Sequence, residues 1–280
     1  MNAQLQGGKR LQGRAPSAND GRPLVSIVTV VFNGATTLER TIRSVLAQTY
    51  APIEYIIVDG GSTDGTLDIL RRYEDRIDLW VSGKDEGIYD AMNKGIDLCT
   101  GEWIGMINAD DWYTADAVDR VMQAVGPDQH INIVHGDILI EYPNGTSKIK
   151  HAKPSGFLLT YWEMVLNHPS FFVRRAYYKD HRFNIGFRVG GDHHWTLRAW
   201  LEDQRMFRYV AQPIAHFSVG GASATIPLSR SLKEGDAICR DLGLGPTHRL
   251  LGRAVKVALY IPARGKLWFN QFVAPLARTK

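Results

Sequence analysis

The chain has 280 residues and a net charge of +4, with 44% apolar and 22% charged residues. This composition is typical of a folded soluble protein with a sizeable core, and the mildly basic charge favours anionic partners without indicating nucleic acid. No apolar run reaches the roughly 18 residues of a membrane-spanning helix, and residues 1–22 lack the apolar segment of a signal peptide. Cys99 and Cys239 show no pairing pattern, so we expect a cytoplasmic protein with two buried thiols. No recognisable RNA- or DNA-binding module mixes basic and aromatic residues, so we expect no nucleic-acid partner.

The N-terminal half is predicted as a short tail followed by alternating strands and helices. Residues 1–22 are rich in Gly, Gln, Asn and Arg, which indicates a disordered tail. Strands are predicted at Leu24–Phe32, Ile53–Val58, Leu79–Ser82 and Trp103–Ile107, with helices after Thr37, at Thr66–Tyr73 and at Gly87–Leu98. This alternation predicts an α/β fold with a mostly parallel sheet, right-handed crossovers and helices on both faces.

The alternation weakens after residue 113. A helix is predicted at Ala115–Val125, a strand at Ile131–His135 and a hairpin over Asp137–Lys150. The remaining predicted elements are a strand at Phe171–Arg174, helices at Arg175–Asp180 and Gly190–Leu201, and a last strand at Phe207–Val210.

Oxygen-bearing side chains follow three of the first four strands: Asn33, Asp59, Asn108, Asp110 and Asp111. Open α/β sheets bind ligands outside the carboxyl ends of their strands, so we expect a nucleotide crevice there. Oxygen ligands with no Cys or His nearby suit Mg²⁺ or Mn²⁺ and not zinc. The alternative is that the two adjacent aspartates form only a solvated turn before the next helix.

The loop Gly60–Thr66 presents backbone N–H groups at the start of a helix, where a phosphate could bind. The chain has no Gly-Lys-Ser/Thr phosphate loop and no G-x-G-x-x-G after its first strand. These absences argue against an ATPase and against an NAD-dependent dehydrogenase.

Four ordered motifs resemble family 2 glycosyltransferases. They are Val25–Asn33 (VSIVTVVFN), Ile57–Thr66 (IVDGGSTDGT), Asp85–Gly95 (DEGIYDAMNKG) and Asn108–Asp111 (NADD). The resemblance implies the GT-A fold over about residues 23–225, with a Rossmann-like nucleotide half at about 23–112 and an acceptor half at about 113–225. The third motif is similar to a bacterial subgroup that builds polysaccharides or glycolipids.

The resemblance also implies roles for individual residues. Asp110 is the expected metal ligand with Asp111 beside it, and Asp192 matches the catalytic base, although by itself it would be interpreted as a helix N-cap. Residues 217–223 resemble a loop that folds over the active site. The expected nucleotide-sugar-binding residues are Val30, Val31, Asn33, Asp59, Asp90, Asn93, Asn108, Ala109 and Asp110. Of these, Asp90 and Asn93 could equally be solvated on a helix.

Two positions depart from the family pattern. The metal motif begins with Asn108 instead of Asp, which removes one charge. Gly60 stands where many relatives carry a second Asp, so a carboxylate that could read the base is missing. The base therefore stays open among UDP, GDP and dTDP donors.

The implied activity is that of a metal-dependent inverting glycosyltransferase acting on a glycan or lipid-linked acceptor in cell-surface polysaccharide or glycolipid biosynthesis. Mg²⁺ or Mn²⁺ would neutralise the departing diphosphate, and a single base with no second carboxylate nucleophile favours one displacement with inversion. One alternative is a sugar-phosphate nucleotidyltransferase, although the Gly-rich basic loop of that class is missing after the first strand. The other is a non-catalytic sugar-nucleotide-binding protein.

Residues 226–280 are predicted as a basic, amphipathic, helical C-terminal tail. From Gly243 onward there is no acidic residue, and Lys and Arg are mixed with Leu, Trp and Phe. This mixture favours a helix lying on an anionic membrane surface, at the inner face of the cell membrane. The alternative is a terminal helix that packs on the domain.

Overall fold

A computed structural model describes residues 5–14, 21–220 and 227–268 of the chain. Within these ranges ten strands form one mixed sheet, in the order β1-β4-β3-β2-β5-β9-β7-β10-β6, with β8 paired to β7. The strands are β1 (Leu5–Gly7), β2 (Val25–Val31), β3 (Ile53–Asp59), β4 (Leu79–Ser82), β5 (Trp103–Asn108), β6 (Trp112–Tyr113), β7 (Ile133–Glu141), β8 (Ser147–Lys150), β9 (Phe172–Arg174) and β10 (Phe207–Ser218).

Nine α-helices cover this sheet in the described part of the chain. They are α1 (Leu38–Leu46), α2 (Thr66–Arg72), α3 (Ile88–Leu98), α4 (Ala117–Val125), α5 (Gly156–Tyr161), α6 (Arg175–Asp180), α7 (Gly191–Asp203), α8 (Leu228–Asp241) and α9 (Pro246–Trp268). The predicted order of elements from β2 to β5 is confirmed, because each of these strands is a continuous apolar run and each helix between them has one apolar face.

The central strands β4, β3, β2 and β5 are parallel and buried on both faces. Alternate residues of β2 point to opposite sides, so Val25 and Ile27 pack with α1, α2 and α4. Val28 and Val30 pack on the other side with α3, α6 and α7. The predicted parallel sheet with helices on both faces is confirmed, and burial of both faces explains why these strands have no polar face.

Helix α3 approaches the sheet closely because Gly95 has no side chain. A Cβ at Gly95 would lie 2.4 Å from Val28 Cγ1 on β2. The helix begins immediately after the loop that leaves β4, so its first turn stands at the carboxyl end of the sheet. The packing of α3 thus fixes the position of Tyr89 near the strand ends.

A second parallel pair, β7 and β10, lies beyond the antiparallel strand β9. Strand β10 is much longer than the predicted Phe207–Val210. Strand β7 joins the predicted strand at Ile131–His135 to the first strand of the predicted hairpin over Asp137–Lys150, which β8 completes. Polar residues and Pro213 interrupt the apolar pattern of β10, and the pairing shifts register around Pro213. The extension matters because it brings Ser218 to the acidic turn after β5.

The N-terminal segment differs from the predicted disordered tail. Residues 5–7 form β1, which pairs antiparallel with the edge strand β4. Lys9 Nζ lies 2.9 Å from Asp78 Oδ1, and Arg10 Nη1 donates to Leu98 O at 2.7 Å. The prediction is wrong for residues 5–14. An edge strand offers unpaired backbone groups to a neighbouring segment, and the composition of that segment does not reveal the pairing.

The C-terminal helices α8 and α9 pack on the domain through polar contacts. Tyr161 Oη and His248 Nδ1 are 2.8 Å apart, and Arg253 Nε donates to Asp236 Oδ2 at 3.0 Å. Lys256 is buried and donates from Nζ to the carbonyl of Trp162. One face of α9 is thus docked, and within the described residues no helix has the length and apolarity needed to span a membrane.

Candidate functional site

The strand register brings the expected strand-end residues together. Val31 on β2 is opposite Asp59 on β3, and Val30 is opposite Asn108 on β5. The amide of Gly60 donates to the carbonyl of Val31 at 2.9 Å. These residues line one carboxyl end of the sheet, where α/β folds bind their ligands.

Asp59 organises the loop that follows β3. Its side chain is buried and accepts hydrogen bonds from the Ser62 amide at 3.0 Å and from Ser82 Oγ at 2.6 Å. Asn33 has a left-handed backbone with φ of 51°, and its Oδ1 accepts from the Thr63 amide at 2.9 Å. The two loops are therefore tied together, and any direct contact of Asp59 with a donor stays a prediction.

The turn after β5 holds the acidic pair Asp110 and Asp111. Thr41 Oγ1 on α1 donates to the carbonyls of Ala109, at 3.0 Å, and Asp111, at 2.6 Å. Asp111 Oδ1 accepts from the Ser218 amide at 3.0 Å, whereas its buried Oδ2 has no hydrogen-bond partner among the described residues. Burial raises the pKa of Asp110, and burial followed by repulsion from Asp110 raises the pKa of Asp111 well above its ordinary value.

Arg40 is the cation at this turn, and it was not among the site residues predicted from the sequence. Its Nη2 donates to the carbonyl of Asp110 at 2.9 Å and to Ser218 Oγ at 3.0 Å. The guanidinium carbon lies 3.6 Å from the centre of the Trp112 ring. Arg40 clamps β10 to the acidic turn and offsets part of its charge, although Asp111 Oδ2 keeps no donor.

The acidic pair has the chemistry of a Mg²⁺ or Mn²⁺ site completed by substrate. Across residues 5–14, 21–220 and 227–268, no three His, Cys, Asp or Glu side chains are grouped to hold a metal alone. Mg²⁺ is commonly held by one or two carboxylates together with substrate phosphates. A buried carboxylate oxygen without a hydrogen-bond partner, beside a second carboxylate, fits that arrangement, and Asp110 and Asp111 would be the ligands.

Asp192 lies in the first turn of α7, where Gly190 is the N-cap residue. Tyr89 Oη donates to Asp192 Oδ1 at 3.3 Å and also to the carbonyl of Val189. A Cβ at Gly191 would lie 2.6 Å from the Tyr89 ring, so this glycine permits the contact. Asp192 is therefore placed beside the first turn of α3 and does not act as the N-cap.

Two residues expected in the donor site already have protein partners. Asn93 Nδ2 donates to the Phe183 carbonyl at 2.9 Å, and Asn93 Oδ1 accepts from the Phe183 amide at 3.0 Å. Asp90 pairs with Lys94 at 2.8 Å. The Asn93 amide thus clamps the segment before α7, and the donor-binding roles of Asp90 and Asn93 stay predictions.

Asp85 is a carboxylate that was not among the site residues predicted from the sequence. A Cβ at Gly60 would lie 2.5 Å from Asp85 Oδ2, so the Asp85 carboxylate occupies the space beside Gly60. Asp85 Oδ1 accepts from the Gly87 amide at 2.9 Å. Burial raises the pKa of Asp85, with Asp90 and Asp59 adding to the increase.

A Rossmann-like sheet with an acidic turn at its carboxyl end, joined to a second parallel pair, is the architecture of GT-A glycosyltransferases. The Glycosyl transferase family 2 model matches residues 26–193. The chain therefore belongs to glycosyltransferase family 2.

Curated relatives include glycosyltransferases named for PGL/p-HBAD biosynthesis. The chain is 30% identical over 217 residues to the "PGL/p-HBAD biosynthesis glycosyltransferase" of Mycobacterium tuberculosis strain ATCC 25177 / H37Ra, covering 75% of this chain and 83% of the relative. It is 27% identical over 191 residues to the glycosyltransferase AglE of Haloferax volcanii, covering 63% of this chain and 61% of AglE.

Solved structures confirm the fold. Residues 1–349 of S. aureus TarS, in complex with UDP-GlcNAc, align with a TM-score of 0.64 at 14% identity, covering 89% of this chain and 76% of the other. The mannosyltransferase PcManGT of Pyrobaculum calidifontis, in complex with GDP-Man and Mn²⁺, aligns with a TM-score of 0.54 at 18% identity, covering 94% and 84%.

Proposed function

We propose that this protein is an inverting, metal-dependent glycosyltransferase that moves a sugar from a nucleoside-diphosphate donor to a glycan or lipid-linked acceptor. The observation that carries the proposal is the acidic turn at the carboxyl end of β5, with the unpartnered Asp111 Oδ2 beside Asp110. It adjoins the ends of β2 and β3, where a nucleotide would lie.

The donor site is formed by the tied loops after β2 and β3. Their backbone is held by Asn33 and Asp59, and the Thr66 amide at the start of α2 donates to Asp64 Oδ1 at 3.0 Å. The solved relatives bind UDP, UDP-GlcNAc or GDP-Man, which supports a nucleotide-sugar donor. These relatives differ in base, so UDP-, GDP- and dTDP-sugars are all donors to test.

Asp110 and Asp111 hold Mg²⁺ or Mn²⁺ in this proposal. When bound, the cation supplies Lewis-acid stabilisation of the negative charge that develops on the departing diphosphate. The PcManGT structure with GDP-Man and Mn²⁺ supports a divalent ion in this fold. Arg40 fixes the turn through the Asp110 carbonyl and adds positive charge beside it.

Asp192 is the general base that removes the proton of the acceptor hydroxyl during attack. Tyr89 donates to its Oδ1 and holds the carboxylate in orientation while leaving Oδ2 for the acceptor. A single base favours one in-line displacement, which inverts the anomeric centre.

The acceptor belongs to glycolipid or cell-surface polysaccharide biosynthesis in this proposal, in line with the bacterial subgroup that the motif Asp85–Gly95 resembles. The relatives at 30% identity are named PGL/p-HBAD biosynthesis glycosyltransferases. Helix α9 exposes Leu250 and Val257 on the face that is not docked, and its residues 246–259 include basic but no acidic side chains. We infer that this face rests on the anionic inner surface of the cell membrane. Residues 269–280 of the predicted tail lie outside the described residues.

Replacing Asp192 by Asn tests the proposal directly. The isosteric amide cannot accept the proton, so we expect transfer to fall by roughly a hundredfold or more while donor binding is retained. Donor binding is measured by thermal shift with each nucleotide sugar and Mn²⁺, and transfer by labelled sugar entering a lipid extract of the source organism. Asp68→Asn, on exposed α2, is the matched control. Transfer at the wild-type rate, or donor binding lost together with transfer, would refute the role of Asp192.

A further inference from the structure

A basic cleft lies between residues 184–188 and helix α8. Its volume is about 680 Å³. It is lined by Asn184, Gly186, Phe187, Arg188, Arg230, Lys233, Glu234, Ala237, Arg240 and Asp241. Four cations face two carboxylates in this lining, so the cleft carries a net charge of +2.

Both carboxylates of the basic cleft already have partners. Glu234 Oε1 lies 3.2 Å from Arg230 Nε, and Asp241 Oδ2 lies 2.6 Å from His194 Nε2. Within the described residues, the side chains of Arg188, Lys233 and Arg240 have neither a hydrogen bond nor an ion pair. Three unpaired cations in one concavity create a positive field that a phosphate would neutralise, and the Arg forks match phosphate oxygens.

The basic cleft adjoins the segment that carries Asp192. A Cβ at Gly190, the N-cap of α7, would lie 3.2 Å from Glu234 Oε2, and His194 on α7 holds Asp241. The other wall follows Phe183, whose backbone is clamped by Asn93. The elements that form this cleft are thus the elements that position Asp192.

A second, smaller cleft continues the basic surface toward α9. Its volume is about 290 Å³ and it shares Arg240 with the first. Arg249, Leu250 and Arg253 of α9 line it, and Leu250 is 72% exposed. A continuous basic path therefore runs from beside α7 to the exposed apolar face of α9.

We propose that the basic cleft binds the phosphate or diphosphate group of a lipid-linked acceptor. This inference rests on the proposed glycosyltransferase function and names the chemistry of its acceptor. The anionic group binds Arg188, Lys233 and Arg240, the lipid extends toward Leu250 and the membrane, and the acceptor sugar is presented to Asp192.

The test uses the full-length variant Arg188→Gln/Lys233→Gln. Binding is measured to phosphatidylcholine vesicles containing undecaprenyl phosphate, and separately to vesicles in which phosphatidylglycerol supplies the same negative charge. We expect roughly hundredfold weaker binding to the undecaprenyl phosphate vesicles, because two charge-assisted contacts are lost and each loss weakens binding about tenfold. Binding to the phosphatidylglycerol vesicles should change little. Inorganic pyrophosphate should compete with undecaprenyl phosphate for the wild-type protein only.

Two further variants separate a specific site from general charge and from misfolding. Arg188→Lys/Lys233→Arg keeps both charges and should bind like the wild type. Arg76→Gln/Lys179→Gln removes two exposed cations outside the cleft and should also bind like the wild type. Equal losses in this control and in the cleft variant would overturn the proposal, as would equal binding of the cleft variant and the wild type to undecaprenyl phosphate.

Donor hydrolysis without acceptor distinguishes failure of the proposed function from failure of the cleft assignment alone. The cleft variant should hydrolyse a nucleotide sugar with Mn²⁺ at the wild-type rate, because donor and metal lie at the sheet edge. If the wild-type protein neither binds nor hydrolyses any nucleotide sugar, the proposed function fails. If it does both and the cleft variant still binds undecaprenyl phosphate normally, only the cleft assignment fails.

Discussion

The missing side chain at Gly60 is matched in space by the carboxylate of Asp85. A Cβ at Gly60 would meet Asp85 Oδ2 at 2.5 Å, so an aspartate at both positions would force two carboxylates into one space. The loop after β4 thus supplies a negative charge where the loop after β3 lacks one. Within the proposed function, Asp85 supplies the carboxylate that Gly60 lacks, and it contacts the donor base.

Exchanging the two residues tests this compensation. Asp85→Gly should weaken nucleotide-sugar binding by roughly tenfold, since one hydrogen bond from a base N–H to a carboxylate is lost. Gly60→Asp alone should lower the melting temperature, because the new side chain would clash with the Asp85 carboxylate and carry the same charge. The double variant Gly60→Asp/Asp85→Gly should recover donor binding. Calorimetric titration gives the affinities, and failure of the double variant to recover would contradict the compensation.

The residues alone predicted site positions only where these follow an apolar strand, whereas Asp192 was identified through the family resemblance. Asp59 and Asp110 were identified because strand ends converge in a parallel sheet. Arg40, Asp85 and Ser218 reach the same edge from a helix, a loop and a distant strand. No local pattern marks such residues, since their proximity is set by tertiary packing.

The pair formed by β7 and β10 encloses a buried histidine. His135 on β7 is opposite Tyr209 on β10, and their ring centres are 5.4 Å apart. Phe171 and Phe207 complete the surroundings, and His135 Nδ1 has no partner among the described residues. Burial lowers the pKa of His135 to about 4, with Asp137 opposing the decrease. The strand pair therefore folds with a neutral imidazole.

This neutral histidine predicts a loss of stability in mild acid. Its pKa is lowered on folding, so the unfolded chain takes up the proton first as pH falls below about 6.5, and stability is lost between about 6.5 and 4. From pH 7 to pH 5 the loss is roughly 2 kcal/mol. His135→Phe lacks this titration, so its free energy of unfolding should gain about that amount relative to wild type over the same range. Urea unfolding measures both proteins, and a pH-independent difference would contradict the prediction.

Strands and helices could be predicted where one hydrophobic pattern dominates the segment. They could not be predicted where a strand forms only because it pairs with a neighbouring strand. The strands β2, β3, β4 and β5 are continuous apolar runs, and all four were predicted nearly to their ends. β1 and the second half of β10 form because a neighbouring strand offers hydrogen bonds. Neither segment has the apolar alternation of an isolated strand, so the sequence could not indicate them.

At the scale of the whole molecule, α9 has a docked face and an exposed face. Gly252 and Lys256 are buried against the domain, and Lys256 donates to the Trp162 carbonyl. Burial lowers the pKa of this lysine, so the helix uses one of its basic residues for packing. Leu250, Ala254 and Val257 are exposed at helical spacing on the other side. One face of α9 therefore packs on the domain, and contact of the exposed face with a membrane stays a prediction.

The exposed face of α9 predicts membrane association through apolar contact. Leu250→Glu/Val257→Glu should reduce partitioning onto phosphatidylglycerol vesicles by roughly tenfold per site, because each change removes apolar burial and adds repulsion from the anionic surface. Co-sedimentation measures the bound fraction. Ile149→Glu/Leu201→Glu replaces two similarly exposed apolar side chains outside α9 and adds the same charge. If that control lowers partitioning as much as the α9 variant, then net charge controls binding and the exposed face of α9 is not the contact.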